Sequence, residues 1–262
     1  MEKSIKVALC QIDVALGEPA FNALKVKEGV EKSVKNGAKA VIFPELWNTG
    51  YDLDGIPLSA DWEGEETTSL LSSLARKHRL TIIGGSVAER KEDGIYNTSF
   101  VFSPDGKKVA EYRKIHLFRL MNEEKYLKAG NKITLFNIEG IKASIAICYD
   151  IRFPEWIRKM ALEGSQILFV PAEWPHPRLH HWRQLLIARA IENQMYVVAC
   201  NRVGEEGETI FCGHSMVISP WGEVIVEGKQ KEEVIYAELD MTLVDRVRGE
   251  IPVFQDRRVD LY

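Results

Sequence analysis

The sequence predicts an α/β protein in which mixed β-sheets carry helices on the outside. Three observations predict it. Apolar runs of strand length alternate with segments of helical periodicity along much of the 262 residues, with hairpin patterns between them. Hydrophobic residues make up 45% of the chain and charged residues 27%, which suits a substantial core and not a disordered chain. No linker, repeat or low-complexity stretch divides the sequence, so residues 1–262 are expected to form one domain.

Each element has a local reason. Residues 6–12 are short, apolar-rich and β-like. Residues 22–35 place Leu24, Val26, Val30 and Val34 at helical spacing, and Asn36-Gly37 closes the run. Residues 38–43 read as an apolar strand that stops at Pro44. Residues 69–78 look helical and 80–87 return to strand. Residues 96–103 and 108–112 flank Pro104-Asp105-Gly106, a hairpin signature. Residues 133–138 and 142–147 form a second strand pair around Glu139-Gly140. A helix over 154–163, a strand over 166–170, a helix over 179–193 and a strand over 196–201 follow. Strands over 213–218, 224–227 and 234–239 complete the pattern, with Pro220-Trp221-Gly222 as a turn. From about residue 250 the tail is extended and partly apolar, so it is expected to pack on the domain or on a partner subunit.

Bulk properties exclude some functions. A net charge of -4 offers no excess to hold nucleic acid or an anionic membrane. The apolar run at the N-terminus is too short for a signal peptide, and no later segment reaches membrane length uninterrupted. The expectation is a cytoplasmic protein. Cys10, Cys148, Cys200 and Cys212 form no C-x-x-C pair, which argues against zinc and thioredoxin-like sites, and disulfides are not expected in such a compartment. Cys10, Cys200 and Cys212 read as packing residues.

Three strand-end positions carry chemistry. Cys148 ends a mostly apolar run just before a polar turn and a helix. A thiol there is held on rigid structure yet can open onto a cleft, as a nucleophile must. Glu45, between Pro44 and Leu46-Trp47, would be partly desolvated, which favours the protonated form and suits a general base; a surface salt bridge is the plainer reading. Lys114 follows the hairpin, where its ammonium could stabilise an oxyanion or merely lay its stem over the sheet. Together they supply nucleophile, base and oxyanion clamp, and none of them requires a metal or an organic cofactor.

Several runs resemble the Glu, Lys and Cys signatures of the nitrilase superfamily, the carbon–nitrogen hydrolases. They are Pro44-Glu45-Leu46-Trp47, Arg113-Lys114-Ile115-His116-Leu117-Phe118 and Cys148-Tyr149-Asp150-Ile151-Arg152-Phe153-Pro154-Glu155. Their order matches, as do Ala188-Arg189-Ala190-Ile191-Glu192-Asn193-Gln194 and Gly213-His214-Ser215. The resemblance covers nearly the whole chain. It implies a four-layer α-β-β-α sandwich of two sheets, assembled as dimers. It makes Cys148 the nucleophile, Glu45 the general base, Lys114 the oxyanion stabiliser and the Tyr149 N–H a second oxyanion donor. It also implies a second glutamate between the Lys and Cys motifs. Counting back from Gly130, Glu123 fits better than Glu124.

Leu46-Trp47-Asn48-Thr49-Gly50-Tyr51-Asp52-Leu53 and Pro171-Ala172-Glu173-Trp174-Pro175 resemble the bacterial ω-amidase branch linked to methionine salvage. So does the end of the chain, Asp260-Leu261-Tyr262. That branch hydrolyses 2-oxoglutaramate to 2-oxoglutarate and ammonia, so a small-molecule amide is the expected partner. A carbamoyl amino acid or an aliphatic amide is the alternative within the superfamily. A dicarboxylate ω-amide needs a cation at the far end of the pocket, and Arg152, Arg178 and His181 are candidates. Arg152 could instead pair with Asp150 or Glu155. Tyr51 and Trp174 could wall the pocket. Two other classes fit less well. A Cys-His peptidase would use Cys148, His214 and Asn201. A metal hydrolase would draw on His176, His180 and His181, but Pro177 interrupts the helix that such a set needs. A non-enzymatic binding protein that kept the fold is the remaining alternative.

Overall fold

A computed structural model describes residues 4–261; residues 1–3 and Tyr262 lie outside the described residues. Two large mixed sheets form the centre. The first runs in the order Glu233–Asp240, Ser4–Gln11, Ala40–Ile42, Thr81–Ile83, Gly94–Phe102, Val87–Lys91 and Asp61–Trp62, with Lys108–Arg113 also paired to Gly94–Phe102. The second runs Val224–Glu227, Met216–Ile218, Tyr196–Asn201, Ile167–Ala172, Ile141–Ile145 and Leu135–Ile138. Parallel pairing is confined to the middle of each sheet and to the short edge strand Asp61–Trp62. The middle strands are near-continuous apolar runs because both of their faces are covered.

The two-residue period of a strand sorts side chains between layers. Val7 and Leu9 enter the core shared with the second sheet, whereas Ala8 and Cys10 face the outer helices. The same split separates Ala40 and Ile42 from Val41 and Phe43, and Val101 from Phe100 and Phe102. Helices Pro19–Lys35 and Glu65–His78 cover the outer face with Val26, Val30, Leu71 and Leu74. Helices Pro154–Leu162 and Leu179–Asn193 cover the second sheet with Ile157, Met160, Trp182 and Leu186. The result is the α-β-β-α layering that the resemblance implied.

Several expected boundaries shift. The run 80–87 is two strands, Thr81–Ile83 and Val87–Lys91, because Gly84-Gly85-Ser86 turns the chain away. Gly85 has a positive φ of 64°, and a Cβ there would meet the Pro44 carbonyl oxygen at 2.2 Å, so only glycine allows this approach. The run 213–218 keeps only Met216–Ile218; before it, Thr209–Cys212 pairs with Val203–Glu206 as a separate hairpin. Helix Thr242–Glu250 was not anticipated, since only Val244 and Val247 on it are buried. Beyond it the tail is not extended as expected but folds in turns: the Gln255 and Asp256 N–H groups donate to the Pro252 carbonyl at 3.0 and 3.1 Å, and Leu261 N–H to the Arg258 carbonyl at 2.9 Å. Gln194 Nε2 donates to the Ile251 carbonyl at 2.7 Å, and the Phe254 ring lies within 5.3 Å of the Arg158 and 5.0 Å of the Arg248 guanidinium carbon.

Candidate active site

Loops at the ends of strands from both sheets meet around one buried ammonium. Lys114, 1% exposed, follows Lys108–Arg113; its N–H donates to the Asn97 carbonyl at 2.9 Å. Its Nζ reaches Glu45 Oε1 at 2.8 Å and Glu123 Oε1 at 2.7 Å. A third contact, to the Tyr51 hydroxyl, is longer at 3.4 Å. Burial alone would lower the Lys114 pKa, but the charges of Glu123 and Glu45 outweigh it and hold the ammonium firmly protonated.

Glu45 is fixed on every side. Asn97 Nδ2 donates to its Oε1 at 2.8 Å and the Glu173 N–H to its Oε2 at 2.9 Å. The loop that carries it is held by Ser86: Ser86 N–H donates to the Pro44 carbonyl, and Ser86 Oγ accepts the Leu46 N–H at 2.9 Å. Glu123, 0% exposed, opens a one-turn helix, and its Oε2 accepts the Phe118 N–H at 2.8 Å. Glu124, its neighbour, is exposed.

Cys148 begins a 3-10 turn, Cys148–Arg152, with a positive φ of 44°. Such a conformation costs about 1–3 kcal/mol for a non-glycine residue, so the surroundings must impose it. Asp150 does much of this. Its Oδ2 accepts the Ile147 N–H at 2.9 Å and the Tyr112 hydroxyl at 2.7 Å; its Oδ1 accepts the His116 N–H at 3.0 Å. One carboxylate thus ties the Cys148 turn to the segment that carries Lys114. Burial pushes the Cys148 thiol well up, the Glu45 charge and a hydrogen bond to Glu45 add to this, and Lys114 opposes it. The resting sulfur is therefore a thiol that faces a carboxylate.

Cys148 opens onto a narrow cleft also lined by Phe118, Tyr149, Arg152, Glu173, Trp174 and Arg178. Arg152 does not pair with Asp150 or Glu155. Asp150 is occupied as described, and Arg152 lies 4.8 Å from the Trp174 ring centre with its Nη2 3.3 Å from His181 Nδ1. Arg178 lies over Phe118 at 5.5 Å. Two expected pocket residues sit elsewhere. Tyr51 is not part of the cleft lining; its hydroxyl donates to Glu123 Oε1 at 2.5 Å, because the buried carboxylates need donors. His181 is exposed and reaches the cleft only through Arg152.

The rival readings are not assembled. His214 Nδ1 lies 2.6 Å from Glu227 Oε1, and Asn201 is spent on backbone groups of Trp174 and Gly213. Among the described residues no group of three or more His, Cys, Asp or Glu is placed to hold a metal ion, and no helix is long and apolar enough to cross a membrane.

Sequence reasoning gave no role to Asn97, Asp150, Glu173 and Arg202. Glu173 had a usable signal. It is an acidic residue between an apolar strand end and Trp174-Pro175, the same local pattern as Glu45 before Leu46-Trp47.

A two-sheet sandwich whose strand ends gather a thiol, an ammonium and two carboxylates is the framework of a hydrolase. The chain belongs to the carbon-nitrogen hydrolase family, whose model matches residues 6–249. It is 48% identical over 256 residues to the 2-oxoglutaramate amidase of Bacillus subtilis (strain 168), covering 98% of each chain. It is 33% identical over 270 residues to the human Omega-amidase NIT2, covering 99% of this chain and 97% of that one. Among solved structures, Saccharomyces cerevisiae Nit3, a member of branch 10 of the nitrilase superfamily, superposes with a TM-score of 0.91 at 32% identity over 97% of each chain. A Xanthomonas campestris CN-hydrolase superfamily protein with an arsenic adduct in its active site also gives 0.91, at 29% identity over 97% of each chain.

Proposed function

We propose that the protein is an amidase that hydrolyses the ω-amide of a 2-oxo dicarboxylate, 2-oxoglutaramate, through a thioester on Cys148. The observation that carries this reading is the contact set of Lys114. An ammonium held between Glu45 and Glu123 leaves its third and weakest contact, the Tyr51 hydroxyl, available for exchange with a substrate oxygen.

The chemistry follows from proton positions. The Cys148 thiol is protonated at neutral pH, so attack needs a base, and Glu45 accepts its hydrogen bond. As sulfur bonds to the amide carbon, the thiol proton passes to Glu45 and negative charge gathers on the amide oxygen. Lys114 and the Tyr149 N–H stabilise that oxygen. Tyr149 is the second residue of the 3-10 turn, where N–H groups lack partners within the turn. Glu45 then returns the proton to nitrogen, the C–N bond breaks and ammonia leaves. Water, deprotonated by Glu45, attacks the thioester; the acid departs and the proton returns to sulfur. Glu123 keeps Lys114 aligned throughout, and the Tyr51 hydroxyl stays bonded to Glu123.

Arg152 and Arg178 support the choice of an anionic substrate. Both line the cleft that holds Cys148, and neither is spent on a carboxylate among the described residues. Burial pulls the Arg152 pKa down and the Arg178 charge adds to this, so an anion between them would be welcome. The named activities of the Bacillus subtilis and human relatives point to the same amide class. The resemblance read in the sequence further supports a cytoplasmic homodimer that serves methionine salvage.

Ammonia release tests the reading across 2-oxoglutaramate, succinamate, glutaramate, N-carbamoyl amino acids and simple nitriles. Fastest turnover is expected for 2-oxoglutaramate. Turnover of carbamoyl amino acids with none of any dicarboxylate ω-amide would overturn the substrate while leaving the family intact.

A further inference from the structure

Glu173 joins two buried charge clusters. It follows strand Ile167–Ala172 and is 1% exposed. Its N–H is fixed on Glu45. Its Oε2 accepts Arg202 Nη1 at 3.1 Å. Arg202 is fully buried and anchored in turn by Glu206 at 2.9 Å and the Val14 carbonyl at 2.7 Å. The position of Oε2 is therefore set from behind. Oε1 is buried and has no hydrogen-bond partner among the described residues. Leaving such an oxygen unpaired costs about 1–3 kcal/mol, and a native protein tolerates that where something else completes the site. Glu173 lines the cleft beside Cys148, so a bound substrate is the group that can do so.

The neighbouring chemistry says which substrate group. The reaction needs the scissile nitrogen close to Glu45, because Glu45 returns the proton to it. Glu173 is bonded to Glu45 through its backbone N–H and lines the cleft, so the residue stands on the side where the nitrogen is protonated. A primary carboxamide offers N–H donors there; an ester or a nitrile offers none. We infer that Glu173 is a specificity-determining residue whose Oε1 accepts an N–H of the substrate carboxamide and so selects amides over esters and nitriles. The inference rests on the amidase reading above. Burial raises the Glu173 pKa while Arg202 opposes the rise, and in either protonation state Oε1 keeps a lone pair for an N–H.

Glu173→Gln reverses the polarity of the free position. Arg202 donates only, so it claims the amide oxygen and leaves the –NH2 group facing the substrate –NH2. The test compares kcat/KM for 2-oxoglutaramate and for the matched ω-methyl ester of 2-oxoglutarate. In the variant the amide is expected to fall by about 100-fold and the ester by less than about 3-fold, as a lost hydrogen bond to substrate N–H predicts. Glu173→Asp keeps a carboxyl group on the Arg202 side but withdraws the oxygen, and the same selective loss is expected; it serves if the Gln variant does not fold. Equal losses on both substrates would make Glu173 a purely structural residue and overturn the inference alone. A wild-type enzyme that cleaves the ester and no carboxamide would overturn the amidase reading and this inference together.

Discussion

Cys10 and Cys148 are both buried thiols at the ends of apolar strand runs, yet their surroundings differ in kind. Cys10 packs among the outer helices, with its sulfur 3.6 Å from the Ser33 hydroxyl and its pKa pushed up to about 12 by burial. Burial also dominates at Cys148, but there the thiol faces the Glu45 carboxylate with the Lys114 ammonium beside it. Burial therefore does not make a nucleophile. An adjacent base that can take the proton, and a cation fixed where charge develops, separate the two sites.

The strongest way to break this comparison is to remove each sulfur. Cys148→Ala is expected to cut kcat by about 10⁵-fold or more, the scale seen when a covalent nucleophile is lost, with an unchanged circular dichroism spectrum. Turnover near the wild-type rate would end the thioester mechanism. Glu45→Gln keeps the shape but cannot accept the thiol proton. A loss of about 10³–10⁴-fold is expected, at the upper end for general bases because Glu45 serves both half-reactions. A single-turnover assay on a thioester substrate would sharpen the result, since the second half-reaction should slow as well.

Lys114→Met separates charge from packing. It removes an oxyanion donor, worth about 10²–10³-fold in kcat, and leaves two buried carboxylates without their shared cation. Breaking a buried ion pair costs about 3–5 kcal/mol, so the melting temperature should drop along with the rate. A variant with normal stability and a small rate loss would show that Lys114 is not what distinguishes the Cys148 site. Arg152→Ala is expected to raise KM for 2-oxoglutaramate by about 10-fold or more while leaving a neutral amide little changed, since it removes one charge contact to a carboxylate. An equal effect on both substrates would assign Arg152 to packing against Trp174.

What the sequence revealed of this site follows from where the information lies. Glu45, Lys114 and Cys148 each sit at a strand end with a local signature, so ordered motifs bring them out. Their supports depend on distant pairings. Asn97 reaches Glu45 across 52 residues, Tyr112 reaches Asp150 across 38, and the Glu173 N–H reaches Glu45 across 128. No local pattern encodes those contacts. The fold behaves the same way. Strands Tyr196–Asn201 and Val224–Glu227 could be read to the residue because apolar runs end in clear breaks. Helix Thr242–Glu250 could not, because two buried valines make too weak a stripe. Tyr51 reads as a pocket wall in the sequence because no local pattern shows the buried carboxylates that its hydroxyl serves.

Cys10→Ala is the control that the comparison requires, and its effect should be the smallest on activity. The sulfur fills the space where helix Pro19–Lys35 meets the first strand. Gly29 leaves that space: a Cβ there would come within 2.9 Å of both Cys10 Sγ and Phe43 Cε1. Removing the sulfur opens a void of about one atom in a layer that contains no reacting group. The expected cost is about 1–2 kcal/mol of stability, a fall of roughly 2–8 °C in melting temperature for a chain of this size, with kcat and KM unchanged. Ser33 also loses a partner, but its hydroxyl still donates to the Gly29 carbonyl at 2.7 Å, so no buried donor is orphaned. Calorimetry and an amidase assay on the same preparation separate the two quantities. A large loss of activity without a loss of stability would mean that the outer helix layer communicates with the site, and the two thiols could no longer be divided into packing and chemistry.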